Sequence, residues 1–278
     1  MLGKKIKFLG CLKRDIKGFI EIPFSSINLI SYPKSGATWL QAMLANILIE
    51  SYKLNKEGDT VRLTKLCKKY PEIPQYRWSH DGGEFILESE VRPDPTILFH
   101  YPFRFKYAGK SVVLLIRDPR DVLVSYYHQA TKRSANPMHF DDIGDYLKDR
   151  LYGVKRISRF MKIWDWNKCL PHRFIIVRYE DLLNNTLYEL KRILEFSKIC
   201  YENEQLRDIV EKFTAEKMRE QEKKGNIDGM RKFGKSLDHL KVRKARSGTY
   251  KEELSSDDIA YCNKELGKVL KLYGYPVE

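Results

Sequence analysis

The feature that most constrains the fold is an apolar run that leads through a short loop into a long apolar helix. Residues 27–31 (INLIS) predict a strand, and residues 37–52 (ATWLQAMLANILIESY) predict a buried helix. The loop between them, residues 32–36, reads YPKSG. The first amides of a helix and the positive end of its dipole attract phosphate groups. This junction is therefore predicted to be an anion-binding loop.

The residue types in this loop suit a phosphate ligand. Lys34 supplies a mobile cation, and Ser35 and Thr38 supply hydroxyl donors. Gly36 lets the backbone close on the ligand. The order differs from the ordinary P-loop, in which a lysine follows the last glycine. The alternative interpretation is a plain strand-to-helix turn with a serine that caps the helix.

The alternation of strands and helices continues along the chain. Further strands are predicted at 96–100, 111–116 and 174–178, and helices at 118–133, 185–197, 201–217 and 256–272. Apolar strands separated by helices are typical of a parallel sheet that is covered on both faces. We expect a single α/β domain over residues 1–278, with a central parallel sheet flanked by helices. An arm at 1–24 and two long loops, at 69–94 and 220–251, complete it, and loops of that length are usually functional.

A second candidate anion site lies in residues 117–127 (RDPRDVLVSYY). Arg117 stands at the carboxyl end of a predicted strand, where open α/β sheets bind their ligands. Its guanidinium can hold a phosphate through two parallel hydrogen bonds, and Ser125, two helical turns later, can add a hydroxyl. The alternative is that Arg117 pairs with Asp118 or Asp121 and binds no ligand.

The overall charge also indicates an anionic partner. The chain has 51 Lys and Arg against 37 Asp and Glu, a formal net charge of +14, which alone fits nucleic acid, anionic lipid or a multiply charged cofactor. A late basic segment, residues 242–251 (VRKARSGTYK), is on its own typical of a solvated face. The basic residues are spread along the chain and form no module with interleaved aromatics, so no nucleic-acid partner is expected.

The cysteines and the hydropathy indicate the compartment. Five cysteines are scattered without a CxxC pair, so neither a disulfide framework nor a zinc site is expected, and free thiols suit a reducing compartment. The mean hydropathy is −0.50, and the sequence has no signal-peptide core and no apolar run of about 18 residues. We expect a cytoplasmic protein without stable membrane insertion. The alternative of a basic membrane-surface helix is confined to residues 4–17.

Taken together, these segments resemble the cytosolic sulfotransferase family, whose members use 3′-phosphoadenosine 5′-phosphosulfate (PAPS). The matching segments are 32–39 (YPKSGATW), 117–128 (RDPRDVLVSYYH), 179–181 (YED) and 243–250 (RKARSGTY). The resemblance implies an enzyme that moves the sulfuryl group of PAPS to a hydroxyl or amine of a small-molecule acceptor. The product nucleotide would be 3′-phosphoadenosine 5′-phosphate (PAP), and no metal would be required.

The resemblance also implies which residues bind the nucleotide. The 5′-phosphosulfate would be cradled by Lys34, Ser35, Gly36, Ala37, Thr38 and Trp39, with Trp39 also stacking on adenine. The 3′-phosphate would be held by Arg117, Ser125, Arg243 and Lys244, next to Ala245. The adenine region would be contacted by Tyr179, Phe213 and Thr214.

His100 falls on the family's catalytic histidine. A neutral histidine at a strand end can take the acceptor's proton during an in-line attack, while Lys34 stabilises charge on the bridging oxygen. Two positions depart from the family pattern, since Leu98 stands where a lysine is usual and Ala245 stands where a glycine is usual. The family's dimerisation motif is absent from residues 251–260 (KEELSSDDIA), so that dimer is not predicted.

The acceptor is expected to contact the variable loop before His100. The candidate substrate-binding residues are Tyr76, Trp78, Asp81, Glu84, Phe85, His100 and Tyr127. The acids in this region suggest a polar or cationic acceptor, and the alternative is that they face water.

Three other functions remain open from the sequence. A P-loop-type nucleotide kinase would need a GK[ST] ending and a magnesium-binding acid. A nucleic-acid-binding protein would explain the charge alone. A noncatalytic nucleotide-binding protein would explain Leu98 and Ala245.

Overall fold

The computed structural model describes residues 2–55, 62–84, 86–87, 90–91, 102–133, 136–224 and 246–277. Both candidate anion-binding segments, 32–39 and 117–128, are therefore described in full. The predicted strand at 96–100 and the residues Phe85, Leu98, His100, Arg243, Lys244 and Ala245 lie outside the described residues.

A four-stranded parallel sheet forms the centre of the domain. In the described part of the chain, the strands of this sheet and of a smaller second one are β1 (Ile27–Ser31), β2 (Tyr76–Ser79), β3 (Ile86–Leu87), β4 (Glu90–Val91), β5 (Ser111–Ile116) and β6 (Arg173–Arg178). The central sheet has the order β2-β1-β5-β6, and β3 and β4 form a separate antiparallel pair. The four central strands start in register, so their carboxyl ends meet at one edge of the sheet.

This strand order contains a topological switch point. From β1 the chain moves to β2 on one side, and it then returns to β5 on the other side of β1. Ligands of open α/β sheets bind outside the carboxyl ends of the strands at such a point. The loop 32–36 follows β1 and Arg117 follows β5, so the two predicted anion sites flank the switch point.

Helices cover both faces of the sheet. In the described part of the chain they are α1 (Leu2–Glu21), α2 (Ala37–Ser51), α3 (Leu63–Lys69), α4 (Pro119–Lys132), α5 (Ile143–Lys148), α6 (Val154–Asn167), α7 (Tyr179–Asn184), α8 (Thr186–Phe196), α9 (Asn203–Lys212), α10 (Ala215–Lys224), α11 (Tyr250–Glu253) and α12 (Ser256–Leu272). A 3₁₀ turn spans Phe105–Tyr107. None of these helices combines the length and the apolar character that crossing a bilayer requires.

The alternation of side chains along the strands divides the interior into two cores. Leu29 and Val113 pack with α2, α8 and α9 on one face of the sheet. Ile30 and Leu114 pack with α4, α6 and α12 on the other face. Because the strands are buried on both faces, they read in the sequence as continuous apolar runs.

The predicted α/β fold with a parallel sheet between helices is confirmed. The predicted strands at 27–31, 111–116 and 174–178 and the predicted helices at 37–52, 118–133, 185–197 and 256–272 all agree with the structure to within one residue at each end. These elements agree because the strands are apolar runs and the apolar residues of the helices recur with a helical period.

Two predicted segments differ from the structure. Residues 201–217 form two helices, α9 and α10, because the chain turns at Phe213 and the Thr214 hydroxyl then accepts a hydrogen bond from the backbone of Lys217 in the first turn of α10. The predicted loop at 69–94 contains β2, an edge strand of the central sheet. Helix α6 was not predicted, although its buried residues Ile157, Phe160 and Trp164 recur at helical spacing.

Candidate functional site

The first anion site, defined here as residues 32–39, is shaped by two left-handed residues. Lys34 has φ +72° and Gly36 has φ +92°, and Gly36 immediately precedes α2. Ser35 lies between them and is 1% exposed, yet its hydroxyl has no hydrogen-bond partner among the described residues. Buried polar groups are usually paired, so a lone buried hydroxyl at the start of a helix indicates an anionic ligand.

Tyr179, the first residue of α7, closes the first anion site from above. A Cβ atom on Gly36 would lie 2.6 Å from the Tyr179 ring, so only glycine fits there. The Trp39 ring meets the same tyrosine edge-on, with ring centroids 6.1 Å apart. Burial raises the pKa of Tyr179. The structure thus brings together three of the predicted nucleotide-binding residues, whose direct contact the sequence did not indicate.

The second anion site is defined here as Arg117, Asp121, Ser125 and residues 246–250, and its centre is Arg117. The Arg117 guanidinium lies 4.6 Å from the centroid of the Tyr179 ring. It donates to the carbonyl oxygens of Lys34 at 3.4 Å and of Arg246 at 3.0 Å. Its Nε is buried and has no partner within the described part of the chain. The arginine therefore touches the first anion site and still has a donor to offer.

The alternative that Arg117 is satisfied by a neighbouring acid is correct only in part. Its Nη2 lies 3.5 Å from the Asp121 carboxylate, which is fully buried. Asp118 turns instead to Arg120, with which it forms hydrogen bonds of 3.0 and 2.7 Å. Charge pairing with Asp121 thus fixes the Arg117 guanidinium without using all of its donors.

Asp121 also anchors the last part of the late basic segment. Its two carboxylate oxygens accept hydrogen bonds from the Gly248 amide at 2.8 Å, the Thr249 hydroxyl at 2.9 Å and the Tyr250 amide at 3.0 Å. Sequence reasoning considered Asp121 only as a partner of Arg117 and missed this role. A buried acid that follows an arginine by one helical turn was the available signal.

The remaining predicted nucleotide-binding residues lie around these two sites. Ser125 is half-buried on α4, one turn after Asp121. Trp39 Nε1 donates to the Phe213 carbonyl oxygen at 2.7 Å, which joins α2 to the turn between α9 and α10. Phe213 is buried and Thr214 is exposed. Trp39 therefore contacts both the Tyr179 ring and the backbone of Phe213 beside the first anion site.

The acceptor candidates are spread more widely. Trp78 on β2 is partly exposed, and its ring lies edge-on to His80 with centroids 4.5 Å apart. Tyr127 is half-buried on α4, next to the rings of His128 and Tyr146. Glu84 is half-buried.

Tyr76 was predicted to bind the acceptor, and the structure corrects this. It begins β2 at the amino edge of the sheet, opposite the edge that carries both anion sites. Its ring is 3% exposed inside the core, and its hydroxyl donates to Ser197 at 2.6 Å. Tyr76 therefore packs in the hydrophobic core and does not face the acceptor.

Asp81 was also predicted to face the acceptor, and the structure corrects this as well. Its carboxylate is fully buried, contacts Arg104 closely and lies 2.6 Å from Lys106 Nζ. Burial alone would raise its pKa, but the two cations outweigh burial and the pKa of Asp81 lies below its ordinary value. These partners could not be read from the sequence, because they come from a segment more than twenty residues later.

Arg156 is a buried residue of the site region that the sequence did not indicate. From α6 it donates to the carbonyl oxygens of Gly82 at 2.9 Å, Gly83 at 3.1 Å and Glu84 at 3.3 Å. A Cβ on Gly83 would lie 2.9 Å from the Tyr32 ring. The segment after β2 is therefore held directly against the first anion site.

The chain is similar to sulfotransferases in three comparisons. The model of the Sulfotransferase domain matches residues 25–274. Sulfotransferase 6B1 of Danio rerio is 27% identical over 229 residues, which are 82% of this chain and 72% of that protein. Sulfotransferase 1B1 of Mus musculus is 30% identical over 214 residues, 74% of this chain and 69% of that protein.

The structural relatives share the fold. The crystal structure of mouse sulfotransferase SULT7A1 complexed with PAP has a TM-score of 0.56 at 17% identity, covering 90% of this chain and 86% of that one. Retinol dehydratase in a complex with retinol and PAP has a TM-score of 0.56 at 16% identity, covering 94% and 86%.

Proposed function

The chain belongs to the sulfotransferase family, and we propose that its two anion sites hold the two phosphate-bearing ends of one PAPS molecule. The resemblance seen in the sequence is confirmed, and the protein is a PAPS-dependent sulfotransferase. The kinase, nucleic-acid-binding and noncatalytic alternatives are not favoured by the comparisons.

The observation that carries the proposal is the direct contact between the two anion sites. Arg117 donates to the Lys34 carbonyl oxygen, and both sites pack on the ring of Tyr179. Each site keeps one buried donor, the Ser35 hydroxyl or Arg117 Nε, without a partner among the described residues. A nucleotide with anionic groups on both the 5′ and the 3′ position of one ribose needs two adjacent sites of this kind.

The first anion site is assigned to the 5′-phosphosulfate. Lys34, Ser35, Gly36, Ala37 and Thr38 belong to one strand–loop–helix junction, where the helix dipole adds to the charge of the lysine. PAPS supplies the sulfonate group that is transferred. The Lys34 ammonium would stabilise the negative charge that develops on the phosphate side as the bond to sulfur breaks.

The second anion site is assigned to the 3′-phosphate. Arg117 is oriented by Asp121, and Ser125 lies on the same helix as that acid. Arg243, Lys244 and Ala245 are proposed to join them, since residues 246–250 are anchored on Asp121. Trp39, Tyr179, Phe213 and Thr214 are assigned to the adenine region.

His100 is proposed as the general base that takes the proton of the acceptor. Residues 102–104 follow it, and Asn167 holds them by donating to the Pro102 carbonyl oxygen at 2.9 Å and accepting from the Arg104 amide at 3.0 Å. A general base next to this held segment would take the acceptor's proton while the acceptor oxygen or nitrogen attacks sulfur in line, a step that needs no metal.

The acceptor is proposed to be a small molecule with a hydroxyl or amine. Trp78, Glu84, Phe85, His100 and Tyr127 remain its candidate contacts. A polar or cationic acceptor now depends on Glu84 and its neighbours, because Asp81 is neutralised by Arg104 and Lys106. Acceptor profiling tests this, and a neutral phenol that outperformed every amine-bearing alcohol would contradict it.

The five free cysteines support the cytoplasm as the location of the protein.

Calorimetry with PAP and AMP tests the assignment of the two sites. Arg117→Ala is expected to weaken PAP binding by about 1.5–3 kcal/mol, the range for a hydrogen bond to a charged group. AMP, which lacks the 3′-phosphate, should bind this variant as it binds the wild type. The matched control is Arg207→Ala, since Arg207 is an exposed arginine on α9. An unchanged PAP affinity in Arg117→Ala would refute the 3′-phosphate assignment.

A second experiment tests the catalytic base. His100→Ala should abolish turnover and leave PAP affinity unchanged, because the base acts on the acceptor and not on the nucleotide. Retained turnover would remove His100 from the mechanism. His172→Ala, at a histidine that lies just before β6, is the matched control.

A further inference from the structure

Helix α1 carries an apolar stripe that the fold does not cover. Leu9, Ile16 and Ile20 are spaced by seven and four residues, so they lie along one side of the helix. They are 54%, 51% and 77% exposed. The opposite side of the helix, which carries Cys11 and Asp15, is buried against the domain. The stripe is therefore not required to hold α1 in place.

The attachment of α1 to the domain fixes the outward direction of the stripe. Asp15 accepts a hydrogen bond from the Lys106 amide at 3.2 Å, and Gly18 lies against the Lys106 side chain. Lys110 donates to the Phe19 carbonyl oxygen at 2.6 Å near the end of the helix. The inner side of the helix thus has specific polar partners, while the outer side has apolar side chains in solvent.

Further exposed hydrophobic side chains lie close to the stripe along the chain or in the segment that packs on α1. Thirteen large hydrophobic side chains are exposed in the described part of the chain, and seven of them lie in α1, in the turn that follows it or in the segment that packs on it. We call these seven the α1 patch: Leu9, Ile16, Phe19, Ile20, Phe24, Phe103 and Phe105. Single exposed hydrophobic residues are ordinary, but several on one side of one helix are typical of an interaction surface.

The charge around the α1 patch is strongly positive. Residues 1–24 contain six lysines and arginines and two acids. Lys13, Arg14 and Lys17 are exposed on α1, whereas Asp15 is buried and Glu21 lies 3.5 Å from Lys17. The partner must therefore offer apolar depth and negative charge together.

An anionic lipid bilayer has both properties, and we propose that the α1 patch docks the protein on the surface of such a bilayer. A helix with basic residues beside an apolar stripe lies in the plane of the interface, with its apolar side chains among the acyl chains and its lysines near the headgroups. A second copy of the chain would bring basic residues against basic residues, and nucleic acid offers no apolar layer for aliphatic side chains.

The α1 patch also adjoins the segment that follows β2. Arg104 lies between Phe103 and Phe105 of the patch and pairs with Asp81, which belongs to the segment held against the first anion site. The proposal itself does not depend on the assignment of the nucleotide-binding residues.

Vesicle flotation with the full-length protein tests the proposal. The probes are vesicles of phosphatidylcholine alone and vesicles with about 30% phosphatidylserine, each at about 0.1 M and 0.5 M salt. We expect binding to the anionic vesicles that weakens at the higher salt concentration, and at most trace binding to the neutral ones. No binding to anionic vesicles, or equal binding to both kinds, would overturn the proposal.

Substitutions separate the α1 patch from general charge. Ile16→Gln combined with Ile20→Gln is expected to weaken vesicle binding by about tenfold or more, since it removes the two most central apolar anchors. Leu272→Gln, at an exposed leucine that ends α12, is the matched control and should bind like the wild type. Thermal melts and activity without vesicles verify that each variant is folded.

Two results of this series would contradict the proposal. One is vesicle binding by the Ile16→Gln, Ile20→Gln protein at the wild-type level. The other is a dimer in light scattering that the same substitutions dissociate, together with no vesicle binding, which would assign the patch to a second copy of the chain.

Discussion

The two anion sites are built in different ways. The first consists of neighbours in the sequence, and its shape comes from the backbone, with positive φ at Lys34 and Gly36. The second consists of charged side chains and of chain segments that are far apart, since Asp121 binds Gly248 across 127 positions. Tyr179 touches both sites and joins them.

Because of this difference, different substitutions are expected to disrupt the two sites. A site made by the local backbone tolerates changes elsewhere but fails when its own backbone is blocked. A site made by a buried carboxylate fails when that one charge is removed, because several donors and a cation lose their partner together. Substitutions at Asp121 and at Gly36 therefore test the two types of construction separately.

The largest effect is expected from Asp121→Asn. An amide can accept only on its oxygen, so at least one donor of residues 248–250 loses its partner, and Arg117 loses its counter-charge. Breaking a buried pair typically costs about 3–5 kcal/mol. Urea unfolding should show a loss of about 3 kcal/mol in the free energy of unfolding, and the preference for PAP over AMP should shrink.

The matched control for Asp121→Asn is Glu252→Gln. Glu252 lies 2.6 Å from Arg246 in the same part of the chain, but both side chains are about half exposed. An exposed pair contributes at most about 1 kcal/mol. If the two substitutions cost the same, the second anion site is not organised by Asp121.

Next in size is Gly36→Ala, which targets the first anion site. The new Cβ would lie 2.6 Å from the buried Tyr179 ring at a residue with φ +92°. Gly248→Ala has the same backbone strain, with φ +75°, but nothing lies within 4 Å of its Cβ. We expect Gly36→Ala to cost about 2 kcal/mol more than Gly248→Ala in unfolding experiments. It should also weaken PAP and AMP binding equally, and selective loss of PAP would contradict the assignment of this site to the 5′ end.

The strand–loop–helix shape of the first anion site could be predicted from the sequence because its determinants are local. The strand, the loop and the helix follow one another within residues 27–51, and their apolar pattern is unbroken. The conformation of Gly36 follows from its place before a helix, but the need for glycine depends on Tyr179, which the sequence does not place.

The second anion site could be predicted only in part. Arg117 and Ser125 are predicted as ligand contacts from their places at a strand end and on the next helix, but the anchoring of residues 246–250 on Asp121 is a long-range contact. Asp81 shows the same limit, because its acidic character suggested an acceptor while its partners, Arg104 and Lys106, come from a distant segment. Charged residues in a sequence show which chemistry is available but not with what they pair.

A smaller effect is expected from Trp39→Phe. The change keeps an aromatic ring but removes the indole N–H that donates to the Phe213 carbonyl oxygen. A hydrogen bond of this type contributes about 1 kcal/mol, so the free energy of unfolding should fall by about that amount. Trp78→Phe, at a partly exposed tryptophan, is the control and should change stability less. An equal loss in both variants would mean that the hydrogen bond is not what holds α2 to the turn after α9.

The smallest effect concerns pH and depends on two acids with opposite environments. Burial raises the pKa of Glu180, beside the second anion site, although the Asp118 amide and the Tyr275 hydroxyl donate to its carboxylate. The pKa of Asp81, in the segment after β2, is instead lowered, because Arg104 and Lys106 outweigh its burial.

These opposite pKa shifts predict that the two acids make the free energy of unfolding change with pH in opposite directions. A raised pKa means that the folded state holds its proton more tightly, so the contribution of Glu180 to stability is complete below its ordinary value of 4.5 and declines as the pH rises through the folded-state pKa. The contribution of Asp81 is present above its ordinary value of 3.8 and declines as the pH falls through the lowered pKa. Urea unfolding at several pH values measures both contributions. Glu180→Gln should remove the loss of unfolding free energy that occurs as the pH rises above 4.5. Asp81→Asn should remove the loss that occurs as the pH falls below 3.8. The contrary result would be that Glu180→Gln changes stability at low pH instead. It would mean that the donors to the Glu180 carboxylate lower its pKa more than burial raises it. The second anion site would then be more polar than its side-chain packing indicates.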